Sequence, residues 1–135
     1  ELKLPIAIHS RDAAQDTIQI MRASRAEEIG GVIHCYSYSK ESARDFLNMG
    51  FYFGIGGVVT FKNAKKLKEA VAYIPLSNIV LETDAPYLTP EPFRGKRNDS
   101  SKLTYVAQAI ADIKQIPVDE VYAETWKNAH QMYKI

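Results

Sequence analysis

Short apolar runs alternate along this chain with longer segments whose apolar residues recur three or four positions apart. Four runs are predicted to be strands, at residues 5–8, 32–33, 51–57 and in the stretch 79–87. Each is followed by a polar or glycine-containing break and then by a segment with helical spacing. Strands that alternate with helices indicate a parallel sheet with helical crossovers, and strands with little polar alternation fit a sheet buried on both faces. The pattern therefore predicts an α/β fold.

Five helices are predicted, three between the runs and two at the end of the chain. The first is expected to run to about Ile29, where two glycines follow, and Ser39 is the expected N-cap of the second. The last is expected to begin after Pro117. Its apolar stripe, which we expect to be buried, comprises Val118, Val121, Tyr122, Thr125, Trp126, Ala129 and Met132.

The composition is that of an ordinary globular domain, so residues 1–135 are predicted to form a single domain. A net charge of +1 excludes a strongly basic surface, and any contact with nucleic-acid phosphates must therefore come from a local cluster. Cys35 is the one cysteine, which excludes an intrachain disulfide and is compatible with a reducing compartment. No apolar run is long enough to cross a bilayer. The sequence predicts a cytoplasmic protein with no membrane partner.

The last apolar run changes abruptly to two carboxylates. Residues 79–81 are followed by Glu82 and Asp84, and then by Pro86. Because side chains alternate along a strand, Glu82 and Asp84 would share one face. Two inward carboxylates are costly without a cation, a basic partner or a shell of hydrogen bonds. For a single Asp-x-Pro, the more frequent structure is a strand end at which Asp84 begins a turn.

Three of the four runs end in a potential metal ligand, namely His9, His34 and Asp84. In parallel α/β folds the carboxyl ends of the strands form the edge where active sites are built. One histidine on an apolar strand is more often a core residue, so the coincidence of three is the evidence. Imidazole and carboxylate ligands suit Zn, Mn, Fe or Co, with Mg or Ca possible only where carboxylates predominate. Cys35 is not expected to share the metal of His34, because adjacent strand residues face opposite ways.

Glycines and arginines flank these positions. Gly54 and its neighbours lack the spacing of a phosphate-binding loop and are expected to leave room for backbone near the site. Arg94 and Arg97 lie in an unusually long loop after Asp84, and Arg11 follows His9. Such basic runs are usually solvated loops, but guanidinium groups beside a metal site are well shaped to bind phosphate.

The same residues carry a resemblance to a known family. The motifs are His9-Ser10-Arg11-Asp12, His34-Cys35, Gly54-Ile55-Gly56-Gly57, Glu82-Thr83-Asp84-Ala85-Pro86 and Arg94-Gly95-Lys96-Arg97-Asn98. They resemble the TatD-type metal-dependent deoxyribonucleases, in the family's order and over nearly the whole chain. Tyr38 departs from the family pattern, which has a glycine there.

The resemblance implies a metallo-hydrolase TIM barrel with two divalent metal ions per complete site, Mg, Mn or Zn, and DNA as the substrate. His9, His34 and Asp84 match family metal ligands, and Asp84 would also be the candidate general base. Glu82 matches a family glutamate that is expected to support the ligands without binding the metal itself. Arg11, Arg94 and Arg97 would then contact the phosphates of DNA.

The family's barrel has eight strands, begins with a His-x-His strand and carries a bridging Glu on the fourth. Neither feature is present, so the chain resembles strands five to eight, the carboxyl-terminal half of the barrel. We expect the amino-terminal half to be missing from this chain and the fragment alone to be inactive. Half a barrel would leave two unpaired strand edges and an uncovered inner face. Pairing with the missing half, or self-association, is therefore expected through a face carrying Ala7, Val32, Phe53 and Val80.

Two alternatives remain open from the sequence. One is a metallo-hydrolase of small amides or esters on the same fold. The other is an inactive half-barrel that only oligomerises, because ligands of the family site are missing. Phosphate-binding arginines favour the nuclease.

Overall fold

Four short parallel strands form one sheet in a computed structural model of the protein, which describes residues 4–135. The strands are β1 (Ile6–His9), β2 (Gly31–His34), β3 (Tyr52–Ile55) and β4 (Ile79–Leu81). They lie in the sheet in the order of the chain, and every neighbouring pair is parallel. Within the described residues, β1 and β4 each pair on one side only. The predicted parallel α/β architecture is confirmed.

The helices that connect and follow the strands are α1 (Ala14–Ala23), α2 (Lys40–Asn48), α3 (Lys65–Tyr73), α4 (Leu103–Lys114) and α5 (Val118–Tyr133). The Ser39 hydroxyl accepts the backbone N–H of Ser42, which confirms the predicted cap of α2. The prediction that α1 runs to about Ile29 is wrong. Arg25 adopts φ +54°, a left-handed conformation that ends the helical run, and a 3-10 turn (Ala26–Glu28) follows. In the part of the chain that the structure describes, no helix combines the length and apolarity needed to span a membrane.

One face of the sheet packs against helices and forms the core. Ile33 of β2 lies beside Phe53 of β3, and Phe53 lies beside Ile79 of β4, all fully buried in one apolar cluster. Phe53 is therefore on the helix-covered face, and its predicted place on the inner face is wrong. The register pairs Val32 with Tyr52, so Tyr52 takes the inner position and Phe53 the outer one.

The inner face of the sheet is less exposed to solvent than expected, because α5 packs against part of it. Val32, Val80 and Met132 of α5 are buried together, with Tyr52 packed against them. The prediction that Val32 and Val80 are exposed is therefore wrong, whereas Ala7 on the edge strand β1 is exposed. The part of the inner face nearest the carboxyl ends of the strands carries the polar residues described below.

The prediction that Trp126 belongs to the core is also wrong. Asn128 is fully buried, and its amide donates to the backbone carbonyls of Leu76 and Ile79, both at 2.8 Å. These bonds fix which face of α5 meets the sheet. Trp126 lies two residues away, about 200° around the helix, and is 70% exposed, as Tyr122 is to a smaller degree. The buried face of α5 is thus determined by a polar residue, Asn128, and it differs from the face that the apolar spacing predicted.

Candidate metal centre

His34, the last residue of β2, lies between two carboxylates at the carboxyl edge of the sheet. Its Nδ1 is 3.0 Å from Oε2 of Glu82, and its Nε2 is 3.2 Å from Oδ1 of Asp84. The other oxygen of Glu82 accepts the backbone N–H of Cys35. Glu82 therefore holds one side of the imidazole ring and turns the other nitrogen towards Asp84.

The backbone brings Glu82 and Asp84 to His34 in a different way from the one predicted. β4 ends at Leu81, so Glu82 and Asp84 are not neighbours on one strand face. Asp84 has φ +54°, a left-handed conformation that ends the extended course of the chain, and its carbonyl accepts the backbone N–H of Tyr87 in a turn. The expectation that they share a face by strand alternation is wrong, but both side chains contact the same imidazole.

Gly54 of β3 makes room for this arrangement. It lies beside Val80 in the register and on the same side of the sheet as His34 and Glu82. A Cβ atom at position 54 would overlap the carboxylate of Glu82. The expectation that backbone approaches at these glycines is wrong for Gly54, where the approaching group is a side-chain carboxylate. It is confirmed for Gly57, where a Cβ atom would overlap the backbone carbonyl oxygen of Leu88.

The electrostatics of the cluster act on both His34 and Cys35. Burial alone lowers the pKa of this imidazole, but hydrogen bonds to Glu82 and Asp84 and their negative charges outweigh burial and raise the pKa above 6.5. Burial also raises the pKa of the Cys35 thiol, and the charge of Glu82 raises it further. In the metal-free protein the imidazole of His34 therefore favours its positively charged form.

A divalent ion fits between His34 and Asp84. Metal–ligand bonds of about 2.1 Å place adjacent ligand atoms about 3.0 Å apart in octahedral and about 3.4 Å apart in tetrahedral geometry. The 3.2 Å separation of Nε2 and Oδ1 lies between these values. Because Glu82 is hydrogen-bonded to the opposite ring nitrogen, it can set the tautomer that leaves Nε2 free to bind a metal.

Cys35 belongs to the same cluster, and the expectation that it faces away from the metal of His34 is wrong. Ligand atoms of His34, Cys35 and Asp84 all lie within 4.8 Å of one another. Cys35 follows the last residue of β2 and has φ +48°, so the alternation of strand side chains no longer applies to it. No pattern in the sequence reveals this left-handed residue.

His9 lines the same cavity and lies next to His34 on the neighbouring strand. It pairs with His34 in the register of β1 and β2, and the two ring centroids are 6.3 Å apart. Both histidines and Asp84 line a cavity of about 440 Å³. The structure therefore brings together His34, Glu82 and Asp84 in direct contact, with His9 beside His34 at the same cavity.

The three arginines divide between two cavities. Arg11 lines the cavity of the histidines, whereas Arg94 and Arg97 line a neighbouring cavity of about 510 Å³. Tyr87 borders both. The guanidinium carbon of Arg94 lies 3.9 Å from the ring centroid of Phe61, which holds this side chain against an aromatic face. Arg94 and Arg97 are therefore near the candidate centre but not in it.

Asn98 fixes the position of the segment that carries Asp84, a function that no pattern in the sequence indicates. It is buried, and its side-chain amide donates to the carbonyls of Thr83 and Tyr87 at 2.9 and 2.7 Å. Its own backbone N–H donates to the carbonyl of Pro86. These bonds close the segment that carries Asp84. In the sequence, Asn98 is merely the end of a basic loop, and only its burial distinguishes it.

Tyr38 performs a similar function at the other side of the cavity. Its hydroxyl hydrogen-bonds to the Ser10 hydroxyl at 2.7 Å and accepts the backbone N–H of Ala13 at 3.3 Å. The segment that carries Arg11 is thereby tied to the loop after β2. A glycine at position 38 could make neither bond.

Parallel strands joined by helices, with histidine and carboxylate side chains gathered at their carboxyl edge, define the class of α/β proteins that build their sites at the carboxyl ends of the strands. Comparison of the sequence with known proteins is consistent with this class and identifies one family within it. The chain belongs to the family of TatD-related DNases, whose family model matches residues 1–134.

Individual relatives show how much of the family's length is present. The chain is 48% identical over 135 residues to the uncharacterized metal-dependent hydrolase YabD of Bacillus subtilis, covering all of this chain and 53% of that protein. It is 40% identical over 135 residues to the uncharacterized metal-dependent hydrolase YcfH of Escherichia coli K12, covering all of this chain and 51% of that protein. The crystal structure of YJJV, a TatD homolog from E. coli K12, superimposes with a TM-score of 0.89 at 27% identity, over 97% of this chain and 50% of that one. The chain thus spans about half the length of these relatives, and its place in the carboxyl-terminal half stays a prediction.

Proposed function

We propose that this chain is the carboxyl-terminal half, strands five to eight, of a metal-dependent hydrolase that cleaves phosphodiester bonds of DNA when its barrel is complete. The observation that carries the proposal is the imidazole of His34, held by Glu82 and directed at Asp84 at the carboxyl edge of the sheet. The names of YabD and YcfH describe metal-dependent hydrolases, and both are about twice as long as this chain. Their length is consistent with a barrel completed by a second half.

His9, His34 and Asp84 are the residues that would hold two divalent ions, Mg, Mn or Zn, with further ligands from the other half. Such ions lower the pKa of bound water and stabilise the charge that develops on a phosphate in transfer. Glu82 keeps the ring of His34 in one orientation. Asp84 is the candidate general base, which would accept the proton of the attacking water at a carboxylate oxygen facing the cavity.

DNA is favoured as the substrate by the positions of the arginines. Arg11 lines the cavity of His9 and His34, where its guanidinium group could bind the scissile phosphate by two hydrogen bonds. Arg94 and Arg97 line the adjoining cavity and would bind phosphates further along the strand. An uncharged ester or amide would gain much less from these three cations than a phosphodiester would.

The decisive experiment combines this chain with a separately produced amino-terminal half and assays the complex on DNA and on a panel of small esters and amides, with Mg²⁺, Mn²⁺ or Zn²⁺. We expect metal-dependent cleavage of DNA. Cleavage of the small compounds without cleavage of DNA would instead favour the small-molecule hydrolase. A well-folded complex that cleaves neither would favour the inactive oligomerising half-barrel.

A further inference from the structure

Tyr87 is an exposed aromatic residue with a firmly held backbone. Its N–H donates to the carbonyl of Asp84 at 2.9 Å, and its carbonyl accepts the side-chain amide of Asn98 at 2.7 Å. The residue is nevertheless 70% exposed. Within residues 4–135, no hydrogen bond or ring contact engages its phenol ring. Single exposed aromatic residues are common on protein surfaces, so what distinguishes Tyr87 is where it lies.

Tyr87 lies between two cavities that carry positive charge. One cavity contains the histidines and Arg11, the other contains Arg94 and Arg97, and Tyr87 lines both. Stacking on Phe61 occupies a face of the Arg94 guanidinium group and leaves its in-plane N–H groups for an anion. An aromatic surface on a fixed backbone thus lies between two groups of cations.

We propose that Tyr87 stacks against a nucleobase of the DNA strand, namely the base between the phosphate at Arg11 and the phosphates at Arg94 and Arg97. This inference rests on the proposed function and adds a base-binding position to the phosphate-binding ones. The occupant is a nucleobase because the cations around the ring complement a polyanion that carries flat aromatic groups.

The chemistry of a nucleic-acid strand matches this arrangement. Each nucleotide joins an anionic phosphate to a flat base, so a site for the strand combines cations with aromatic surfaces. Stacking of one base on an aromatic side chain typically contributes a factor of about 5 to 150 in affinity. All four bases have a π face, so Tyr87 should favour the presence of a base without selecting its identity. The two backbone hydrogen bonds of Tyr87 reduce the entropy lost on binding.

Two oligonucleotides of equal charge separate base binding from phosphate binding. The probes are a fluorescently labelled thymidine octamer and a labelled octamer of abasic deoxyribose phosphates. Each is titrated with the 135-residue chain at low salt, in a chelator that prevents cleavage. Fluorescence anisotropy measures both affinities. We expect the wild type to bind the thymidine octamer at least about fivefold more tightly than the abasic one.

Variants assign this difference to Tyr87. Tyr87→Ala and Tyr87→Leu should bind both octamers with the wild-type affinity for the abasic one, whereas Tyr87→Trp should keep the preference, because only an aromatic ring offers a stacking face. Arg97→Ala should weaken the binding of both octamers by a similar factor, since it removes a phosphate contact. Tyr73→Ala, which removes an exposed tyrosine of α3 that lines neither cavity, is the matched control. Circular dichroism checks that each variant is folded.

Three results would overturn the inference. Equal binding of the two octamers by the wild type would do so without any variant. An undiminished preference in Tyr87→Ala would show that the base lies elsewhere. Neither result would affect the proposed function, which requires only the phosphate contacts and the metal centre. Failure of the wild type to bind either octamer would also remove the base-binding position, and the cleavage assay of the completed barrel would then decide the proposed function independently.

Discussion

The Nδ1 atom of His34 and the Oε2 atom of Glu82 lie 3.0 Å apart, across the intervening strand β3 and 48 residues of sequence. This contact assigns the two nitrogens of the imidazole different functions, since one is occupied by Glu82 and the other faces Asp84. We therefore expect that replacing Glu82 and replacing Asp84 will have different effects.

Asp84→Asn should abolish DNA cleavage by the completed enzyme even at saturating metal, because the proposed ligand and general base is lost. Its side chain is 38% exposed, and its pairing with His34 should contribute only about 1 kcal/mol or less to stability. Turnover and urea unfolding measure the two effects. Asp112→Asn, which changes an exposed carboxylate of α4, is the matched control. Wild-type turnover in Asp84→Asn would show that Asp84 is neither ligand nor base.

Glu82→Gln should weaken metal binding rather than eliminate it. The amide can still hydrogen-bond to His34, but the negative charge that supports the imidazole is gone, and such supporting groups typically account for a factor of about 10 to 100 in affinity. Calorimetry with Zn²⁺ would measure the loss. Glu69→Gln on the exposed side of α3 should have no effect. If Glu82→Gln bound metal as tightly as the wild type, Glu82 would have no influence on the ligand.

The stability of the metal-free chain should depend on pH through His34. Because its folded-state pKa is raised above 6.5, its pairing with Glu82 and Asp84 contributes fully below pH 6.5 and is lost as the pH rises through the folded-state pKa. His34→Gln should therefore reduce the free energy of unfolding more below pH 6.5 than at alkaline pH. Urea denaturation in a chelator tests this, with His130→Gln on α5 as the control. An equal loss at both pH values would contradict the assigned pairing.

Replacing Arg11, Arg94 or Arg97 with Ala should weaken DNA binding by the completed enzyme. Each variant should also flatten the dependence of log affinity on log salt by about one phosphate contact. Only Arg11→Ala should in addition slow cleavage at saturating DNA, because only this arginine lines the cavity of the histidines. Arg44→Ala, at an exposed position of α2, provides the comparison. Unchanged salt slopes in all three variants would identify the arginines as ordinary solvated residues.

The 135-residue chain by itself should bind metal weakly and show no detectable nuclease activity. The ligands that it provides leave the proposed pair of ions short of the coordination that fixes their geometry. Adding the amino-terminal half should give one species of defined mass in analytical ultracentrifugation, and metal-dependent cleavage should appear with it. Strong cleavage by the purified monomeric chain would mean that the essential ligands are all within residues 1–135.

Much of this arrangement could be predicted from the sequence, because it depends on local patterns. The alternation of strands and helices follows from the spacing of apolar residues, and the cap at Ser39 follows from its side chain. His9, His34 and Asp84 come at or just after strand ends, and parallel strands bring such ends to one edge. The common location of these three residues could therefore be predicted without coordinates.

Only the tertiary structure decided how these residues meet. Cys35 joins the cluster and Asp84 reaches His34 because both residues adopt left-handed backbone conformations. Neither residue type by itself predicts such a conformation. Trp126 is exposed because Asn128 must satisfy two backbone carbonyls of a distant segment. Phe53 faces the helices because the register is set by pairing between strands. Apolar spacing reports the average burial of an element, but side-chain direction at its ends depends on single dihedral angles and on partners that are remote in sequence.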